Sequence, residues 1–170
     1  MVFQDVYLFD DSLIANIRVG RPDASDEEVF RAADLSGVTS IANRLGWHTP
    51  VGEGGRLLSG GERQRVSVAR ALLKQAPIVL FDEATSALDA ENEANILAAM
   101  DELREQSTFI VIAHKLDTIK SADQIVVLDE HGQVSQLGTH SELSDVPGIY
   151  RHFWQQRKAA RGWKISSGRD

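Results

Sequence analysis

The 170-residue chain is predicted to fold as an α/β domain in which helices flank a parallel sheet, with an added helical subdomain. Two continuous apolar runs, residues 78–81 (IVLF) and 108–113 (TFIVIA), are typical of strands buried on both faces of a parallel sheet. A helical pattern over residues 91–105 separates them, which gives the strand–helix–strand order of α/β domains. Short helical patterns before the first run indicate the helical subdomain, at about residues 11–75.

The composition excludes several classes of function. At 42% hydrophobic and 25% charged residues the chain has the balance of a globular protein, and its net charge of −7 argues against a nucleic-acid-binding surface. It contains no cysteine, which excludes disulfides and thiolate metal sites. No apolar run approaches the ~20 residues that cross a bilayer. Any membrane function is therefore expected on the cytoplasmic side, through a partner or a further segment.

The helical subdomain is predicted as short helices joined by polar turns. Residues 12–17 and 25–34 form the first two, and the second opens with Ser25 and Glu28 at the spacing of a capping box. Residues 38–45 form a third amphipathic helix.

A glycine-dense loop precedes the next helix. Glycine is unfavourable inside helices, so residues 51–55 (VGEGG) are predicted as a loop, and the helix over residues 62–74 ends before Pro77. In the C-terminal part, residues 124–128 are predicted as a third buried strand, which a hairpin turn at residues 130–133 joins to a further strand at residues 134–137. Two helices are predicted after it, one from residue 141 and one at residues 149–157.

A polar, glycine-containing turn at residues 58–65 (LSGGERQR) is the first candidate site. Gly60 and Gly61 let the backbone approach a ligand closely, and a helix from Glu62 directs unpaired N–H groups and a positive dipole end at it. Ser59 adds a hydroxyl donor. An isolated Ser-Gly-Gly more often only caps a helix, but the whole octapeptide predicts a phosphate site.

Two carboxylates end the first apolar strand and form the second candidate site. Asp82 and Glu83 follow IVLF at the carboxyl end of the strand, where α/β sheets place their ligand sites. A lone acidic pair at a strand end is usually only solvated. The longer run of residues 82–89 (DEATSALD) is a much more specific pattern.

Together the two sites resemble the signature motif and the Walker B strand of the ATP-binding cassette (ABC) ATPases, which power ABC transporters. The resemblance implies the ABC-type variant of the P-loop NTPase fold, with ATP and Mg²⁺ as cofactors. It also implies that Ser59, Gly60, Gly61 and Glu62 contact the γ-phosphate of ATP bound by an opposite subunit, so that the protein acts as a dimer.

The resemblance assigns roles to five further residues. Asp82 holds Mg²⁺, generally through water, and Glu83 is the general base for the attacking water. Asp89 belongs to the D-loop, which crosses the dimer interface. His114 and Gln4, unremarkable as isolated polar residues, match the switch histidine that bonds the γ-phosphate and the Q-loop glutamine that reaches Mg²⁺.

Other segments resemble exporter-type ABC proteins. Residues 49–55 (TPVGEGG) are similar to the X-loop, whose Glu53 touches intracellular helices of a membrane domain, and residues 138–143 (GTHSEL) to a C-terminal hallmark. Residues 51–57 and 113–118 are similar to fused ATPase–permeases of actinobacteria, among which mycobactin-type siderophore transporters are a candidate.

The chain departs from the family pattern upstream. It contains no G-x-x-x-x-G-K-[ST] loop and no aromatic A-loop, so the resemblance covers residues 1–155 as a partial ABC ATPase domain, followed by a polar tail at residues 156–170. The sheet is expected to lack its first strands and to expose apolar faces. Our hypothesis is that the chain is the C-terminal part of a longer protein.

Three functions follow from these observations. The first is the ATP-hydrolysing subunit of an ABC transporter, working as a homo- or heterodimer with a transmembrane permease domain, fused or separate, at the cytoplasmic face of the cell membrane. The second is a non-catalytic fragment that supplies only the signature face to a partner. The third is a soluble ABC ATPase of DNA repair, against which the X-loop and residues 138–140 argue.

Overall fold

The computed structural model describes residues 6–82, 101, 103–105, 107–112 and 119–166. These residues belong to two compact units, one within residues 1–112 and the other within residues 113–170. None of the described helices is long and apolar enough to cross a membrane.

The first unit contains a run of helices in residues 13–74. Its elements are α1 (Leu13–Arg18), α2 (Asp26–Leu35), α3 (Thr39–Leu45), a 3₁₀ turn (Glu53–Gly55) and α4 (Gly60–Lys74). The four helices predicted within residues 12–74 are present to within two residues, and the predicted capping box of Ser25 and Glu28 opens α2. Most of the helix predicted over residues 91–105 lies outside the described residues. The apolar faces of these helices meet in one core, in which Leu13, Ile17 and Val66 are fully buried.

The same unit contains a pair of parallel strands, β1 (Ile78–Asp82) and β2 (Thr108–Ile112), as predicted. One face packs on the helical core through Val79 and Phe81 of β1 and the half-buried Phe109 and Val111 of β2. The expected burial on both faces is wrong. On the other face Ile78, Ile110 and Ile112 are 57%, 50% and 60% exposed, because no described element packs over them. The second expectation, that the sheet exposes apolar faces, is met on this side of the strand pair.

The second unit is a hairpin covered by helices. β3 (Ile125–Leu128) and β4 (Val134–Gly138) pair antiparallel around a turn in which Gly132 has a φ of +74°. The expectation that β3 is a fully buried strand is wrong: Ile125 and Val127 pack on Leu143 and Tyr150, whereas Val126 and Leu128 on the opposite face are exposed.

Two helices complete the second unit. α5 (His140–Asp145) begins one residue before the predicted start at Ser141. α6 (Ile149–Ser166) runs past the predicted end at residue 157 into the polar tail. The residues it adds include alanines, lysine and arginine, which favour helix, and no proline.

Candidate functional site

The polar turn at the start of α4 is closed by two reciprocal hydrogen bonds. The Ser59 hydroxyl oxygen accepts from the Glu62 backbone N–H at 3.2 Å, and the Glu62 carboxylate accepts from the Ser59 backbone N–H at 2.8 Å. This capping box makes Ser59 the residue before the helix. The prediction that the helix starts at Glu62 is therefore wrong by two residues, since Gly60 and Gly61 form its first turn.

The first turn of α4 offers backbone donors to a ligand. The first N–H groups of a helix have no partner inside it, and the Ser59 hydroxyl takes only that of Glu62. The N–H groups of Gly60 and Gly61 thus remain at the positive end of the helix dipole. Gly60 is exposed, and a Cβ built on it would meet, among the described residues, only the Arg63 guanidinium, at 3.9 Å. This arrangement is suited to binding an anion such as phosphate.

A basic side chain that the sequence analysis missed fixes the carboxylate of this turn. Arg44, in the last turn of α3, forms an ion pair with Glu62. Burial raises the pKa of the Glu62 carboxyl, but the backbone N–H of Ser59 and the Arg44 guanidinium outweigh it, and the pKa lies below its ordinary value of 4.5. The two residues are 18 positions apart, so no local sequence spacing predicts their contact.

The loop before the turn packs on Leu8 and is hydrogen-bonded to α4. Gly55 has a φ of +71°, and a Cβ on it would lie 2.8 Å from Leu8 Cδ1. The Arg63 guanidinium donates to the Leu58 carbonyl at 2.8 Å, which ties the loop to α4. Glu53, the predicted X-loop residue, is exposed at the surface of this loop.

Two exposed aromatic rings lie on the segment that contacts this loop. Tyr7 and Phe9 are 57% and 52% exposed and pack edge to face, with ring centroids 5.7 Å apart. Leu8 between them is fully buried, and its carbonyl accepts from the Gly54 N–H at 3.0 Å. The aromatic pair and the Glu53 loop therefore belong to one part of the surface.

A second cluster that the sequence analysis missed joins that segment to α1 and α4. Asn16 is 1% exposed and binds the backbone of residues 9–12, and Arg70 of α4 donates to the Asn16 side chain at 2.8 Å. The sequence did contain a signal for it. Asn16 is a polar residue beside the apolar Leu13 and Ile17 of α1, and a buried amide requires hydrogen-bond partners.

Asp82 is the described member of the predicted acidic pair. It is the last residue of β1, is half-buried, and lies opposite Ile112, the last residue of β2. Its carboxylate is the kind of hard oxygen ligand that Mg²⁺ prefers. Among the described residues, however, no group of three acidic, histidine or cysteine side chains could hold a metal ion.

The predicted site residues are thus only partly described. Ser59, Gly60, Gly61 and Glu62 lie together in one turn, and Asp82 lies on a different element. The remaining four lie outside the described residues: Gln4, Glu83, Asp89 and His114.

The segment that resembles the C-terminal hallmark has a structural explanation in the second unit. Thr139 caps α5 in a capping box with Glu142, and the backbone and side-chain hydrogen bonds from Thr139 lower the pKa of the Glu142 carboxyl. His140 Nδ1 lies 2.8 Å from the Tyr150 hydroxyl, and its ring packs on Trp154 with centroids 4.3 Å apart. These contacts hold α5 on α6.

Comparisons with known proteins agree on one family. The model described as "RecF/RecN/SMC N terminal domain" matches residues 10–136. The chain is 49% identical over 152 residues to the ATP-dependent lipid A-core flippase of Neisseria meningitidis, which covers 88% of the chain and 24% of the flippase. It is 47% identical over 169 residues to the mycobactin import ATP-binding/permease protein of Mycolicibacterium thermoresistibile, covering 98% of the chain and 29% of that protein.

A solved structure extends the likeness to the fold. A bacterial Atm1-family ABC exporter with ATP bound matches 92% of the chain and 27% of its own length, with a TM-score of 0.83 and 45% sequence identity. The chain therefore spans about a quarter of the length of the relatives that it matches.

Proposed function

The chain belongs to the exporter-type ABC ATPases, and from this membership we propose that it is the ATP-hydrolysing part of a transporter that moves a solute across a membrane. Its ATP use and its sequence relation to ATP-binding/permease proteins follow from the relatives. Their names speak for transport, and they are nearly half identical to the chain, so DNA repair is the weaker alternative despite the broad description of the matching family model.

The observation that carries the proposal is Gly60. Its backbone is part of α4 and its φ lies outside the left-handed region, so the fold does not require glycine there. Glycine is less favourable than alanine in a helix, because its backbone loses more conformational freedom on folding. A residue that weakens its own helix at an exposed N-terminus is explained by a ligand that must approach the backbone closely. The proposed ligand is the γ-phosphate of ATP held by a second nucleotide-binding domain.

The remaining catalytic roles are proposed for residues at or after the strand ends. Asp82 and Ile112 are partners in register, and Glu83 and His114 follow them by one and two positions in the sequence. Glu83 would take a proton from the attacking water, and His114 would hydrogen-bond the γ-phosphate. Asp82 and Gln4 would hold Mg²⁺, whose charge neutralises the phosphates when it is bound. Asp89 would contact the opposite subunit.

The proposed permease partner would contact the surface formed by Tyr7, Phe9 and Glu53. Exposed aromatic rings beside a charged residue are characteristic of the centre and rim of protein interfaces. The aromatic pair and the Glu53 loop are joined through Leu8 and Gly54, so they offer a partner one continuous surface. With such a partner, the chain would lie at the cytoplasmic face of the cell membrane.

Substituting Gly60 by alanine tests the proposal, because it separates folding from phosphate binding. Gly60→Ala should keep or slightly raise the free energy of unfolding, since alanine favours helix and has space there. It should lower ATP turnover of the native membrane assembly at least tenfold, because the methyl group stands where the phosphate must approach.

The matched control is Gly132→Ala in the hairpin turn. Its φ of +74° does disfavour alanine, so this variant should lose stability but keep turnover per folded molecule. Full turnover in Gly60→Ala would contradict phosphate binding at this turn.

A second candidate function is a non-catalytic fragment that supplies only the signature face to a partner. The two functions share the signature turn and differ at Glu83, which only a catalytic chain needs.

A further inference from the structure

Residues 7–11 form an irregular segment whose backbone is held by side chains. The Phe9 N–H donates to Asn16 Oδ1 at 2.9 Å, and Asn16 Nδ2 donates back to the Phe9 carbonyl at 3.1 Å. The same amide nitrogen lies 3.2 Å from the Asp11 carbonyl. One buried asparagine thus holds the backbone of this irregular segment through three hydrogen bonds.

Arg70 of α4 donates hydrogen bonds both to Asn16 and to residues 7–11. Its Nε donates to the Asn16 carbonyl at 2.7 Å, one terminal nitrogen donates to Asn16 Oδ1 at 2.8 Å, and the other to the Tyr7 carbonyl at 2.9 Å. Its guanidinium also lies 5.9 Å from the centroid of the Phe9 ring. Helices α1 and α4 converge at this residue, because a Cβ on Gly20 would lie 2.4 Å from the Arg70 carbonyl oxygen.

The segment is connected in turn to the loop that leads into the signature turn. The Val51 N–H donates to the Asp11 carbonyl at 3.0 Å, and the Gly54 N–H donates to the Leu8 carbonyl at 3.0 Å. The Leu57 N–H then donates back to the Val51 carbonyl at 3.2 Å, two residues before Ser59. Hydrogen bonds therefore run without a gap from Arg70 to the loop that ends at the start of α4.

We propose that Asn16 and Arg70 are positioning residues that fix residues 7–11 against α4, so that a force applied to the Tyr7, Phe9 and Glu53 surface reaches the Ser59 turn. The inference rests on the proposed function, which assigns a permease partner to the surface of Tyr7, Phe9 and Glu53 and the γ-phosphate of ATP to the Ser59 turn. The link itself does not depend on ATP. Three donors in a planar guanidinium match three acceptors from two segments, a geometry that the single ammonium of lysine cannot reproduce.

Amide hydrogen exchange on the full 170-residue chain tests the link. Arg70→Lys keeps the charge but loses the fork, and it should speed exchange at the Phe9, Val51 and Gly54 amides by roughly three- to tenfold, the effect of losing a hydrogen bond. The Val29 amide of α2, bonded to the Ser25 carbonyl, should keep its rate. If Arg70→Lys fails to fold, Asn16→Asp replaces it, because it keeps the acceptor and loses the donors.

The matched control is Arg21→Lys. Arg21 pairs with Glu28 at the surface and does not contact residues 7–11, so its substitution should leave the Phe9, Val51 and Gly54 amides unchanged. Equal acceleration of these amides and of Val29 in Arg70→Lys would mean a general loss of stability and would overturn the proposal. Acceleration confined to Phe9, with Val51 and Gly54 unchanged, would also overturn it, because the link would stop at the segment.

The same variants in the native membrane assembly test the functional half. Arg70→Lys should lower kcat for ATP about tenfold and leave KM within twofold, since neither residue of the pair lies in the turn proposed to touch nucleotide. Unchanged kcat would overturn the functional half. If the unsubstituted assembly hydrolyses no ATP, the proposed function fails, and the exchange experiment still decides whether Asn16 and Arg70 position the segment.

Discussion

The helices of residues 13–74 and the two strand pairs differ in how completely their apolar side chains are buried. Leu13, Ile17 and Val66 of the helices are fully enclosed. The sequences of β1, β2 and β3 are almost wholly apolar, yet Ile112 and Leu128 are 60% and 55% exposed. The helical part thus builds its core from its own residues, whereas each strand pair is covered on one face and presents an aliphatic surface on the other.

This difference shows that the helical part buries its apolar side chains by itself, whereas the strand pairs do not. The helices have local signals, such as capping boxes and C-terminal breaks, that agree with their tertiary packing. The sequences of β1, β2 and β3 are suited to burial on both faces, whereas that of β4 (VSQLG) is not. Apolar surfaces of this kind are typical of faces that pack against further protein.

The difference in burial is tested most strongly by removing the same side-chain atoms from a helix and from a strand. Ile17→Ala should lower the free energy of unfolding by about 2–5 kcal/mol, because it leaves a cavity in a closed core. Ile112→Ala removes the same atoms from an open face and should cost less than about 1 kcal/mol. Urea unfolding followed by circular dichroism measures both. Equal losses would show that the strand face is enclosed in solution.

Much of this fold could be predicted from the sequence, but not the burial of its strands. Ser25 and Glu28 predict the start of α2 because both partners lie within one turn. That Ile110 is exposed while Val111 packs on the core could not be predicted, since an apolar run shows that a strand is suited to burial and does not show which face is covered.

The contacts of the candidate site are likewise only partly predictable from the sequence. Ser59 and Glu62 form a local pattern that the sequence reveals, and the structure shifts only the helix start. Arg44 and Arg70 reach their partners across 18 and 54 positions, and contacts over such distances in the chain leave no periodic signal.

A smaller effect on stability is expected from the Ser59 hydroxyl, which caps α4. Ser59→Ala should cost about 1 kcal/mol because it removes the acceptor for the Glu62 N–H, whereas Ser59→Gly should cost only a few tenths. Thermal unfolding of the two variants beside the unsubstituted chain measures this. No loss in Ser59→Ala would show that the hydroxyl does not stabilise α4.

The smallest expected effect is a pH dependence carried by the helix caps. The pKa of Glu28 is lowered by hydrogen bonds from Ser25 and Arg21, and that of Glu62 by Ser59 and Arg44 against the effect of burial. Both carboxyls therefore favour the folded state above their unfolded pKa of about 4.5. Their contribution is lost as the pH falls through the lower folded values.

Unfolding experiments between pH 7 and pH 3 measure this contribution. Glu62→Gln does not titrate, so it should lose less stability than the unsubstituted chain over this range. An identical pH dependence in both would mean that Glu62 contributes nothing to it.

The central claim, that this chain is the catalytic ATPase of a transporter, is tested most directly at Glu83. ATP turnover and bound nucleotide are measured in the native membrane assembly carrying Glu83→Gln. ATP turnover should fall by about 10²–10⁴-fold, the usual effect of removing a catalytic base, and the nucleotide should stay bound. Unchanged turnover would contradict the central claim and would leave the chain as the supplier of a signature face alone.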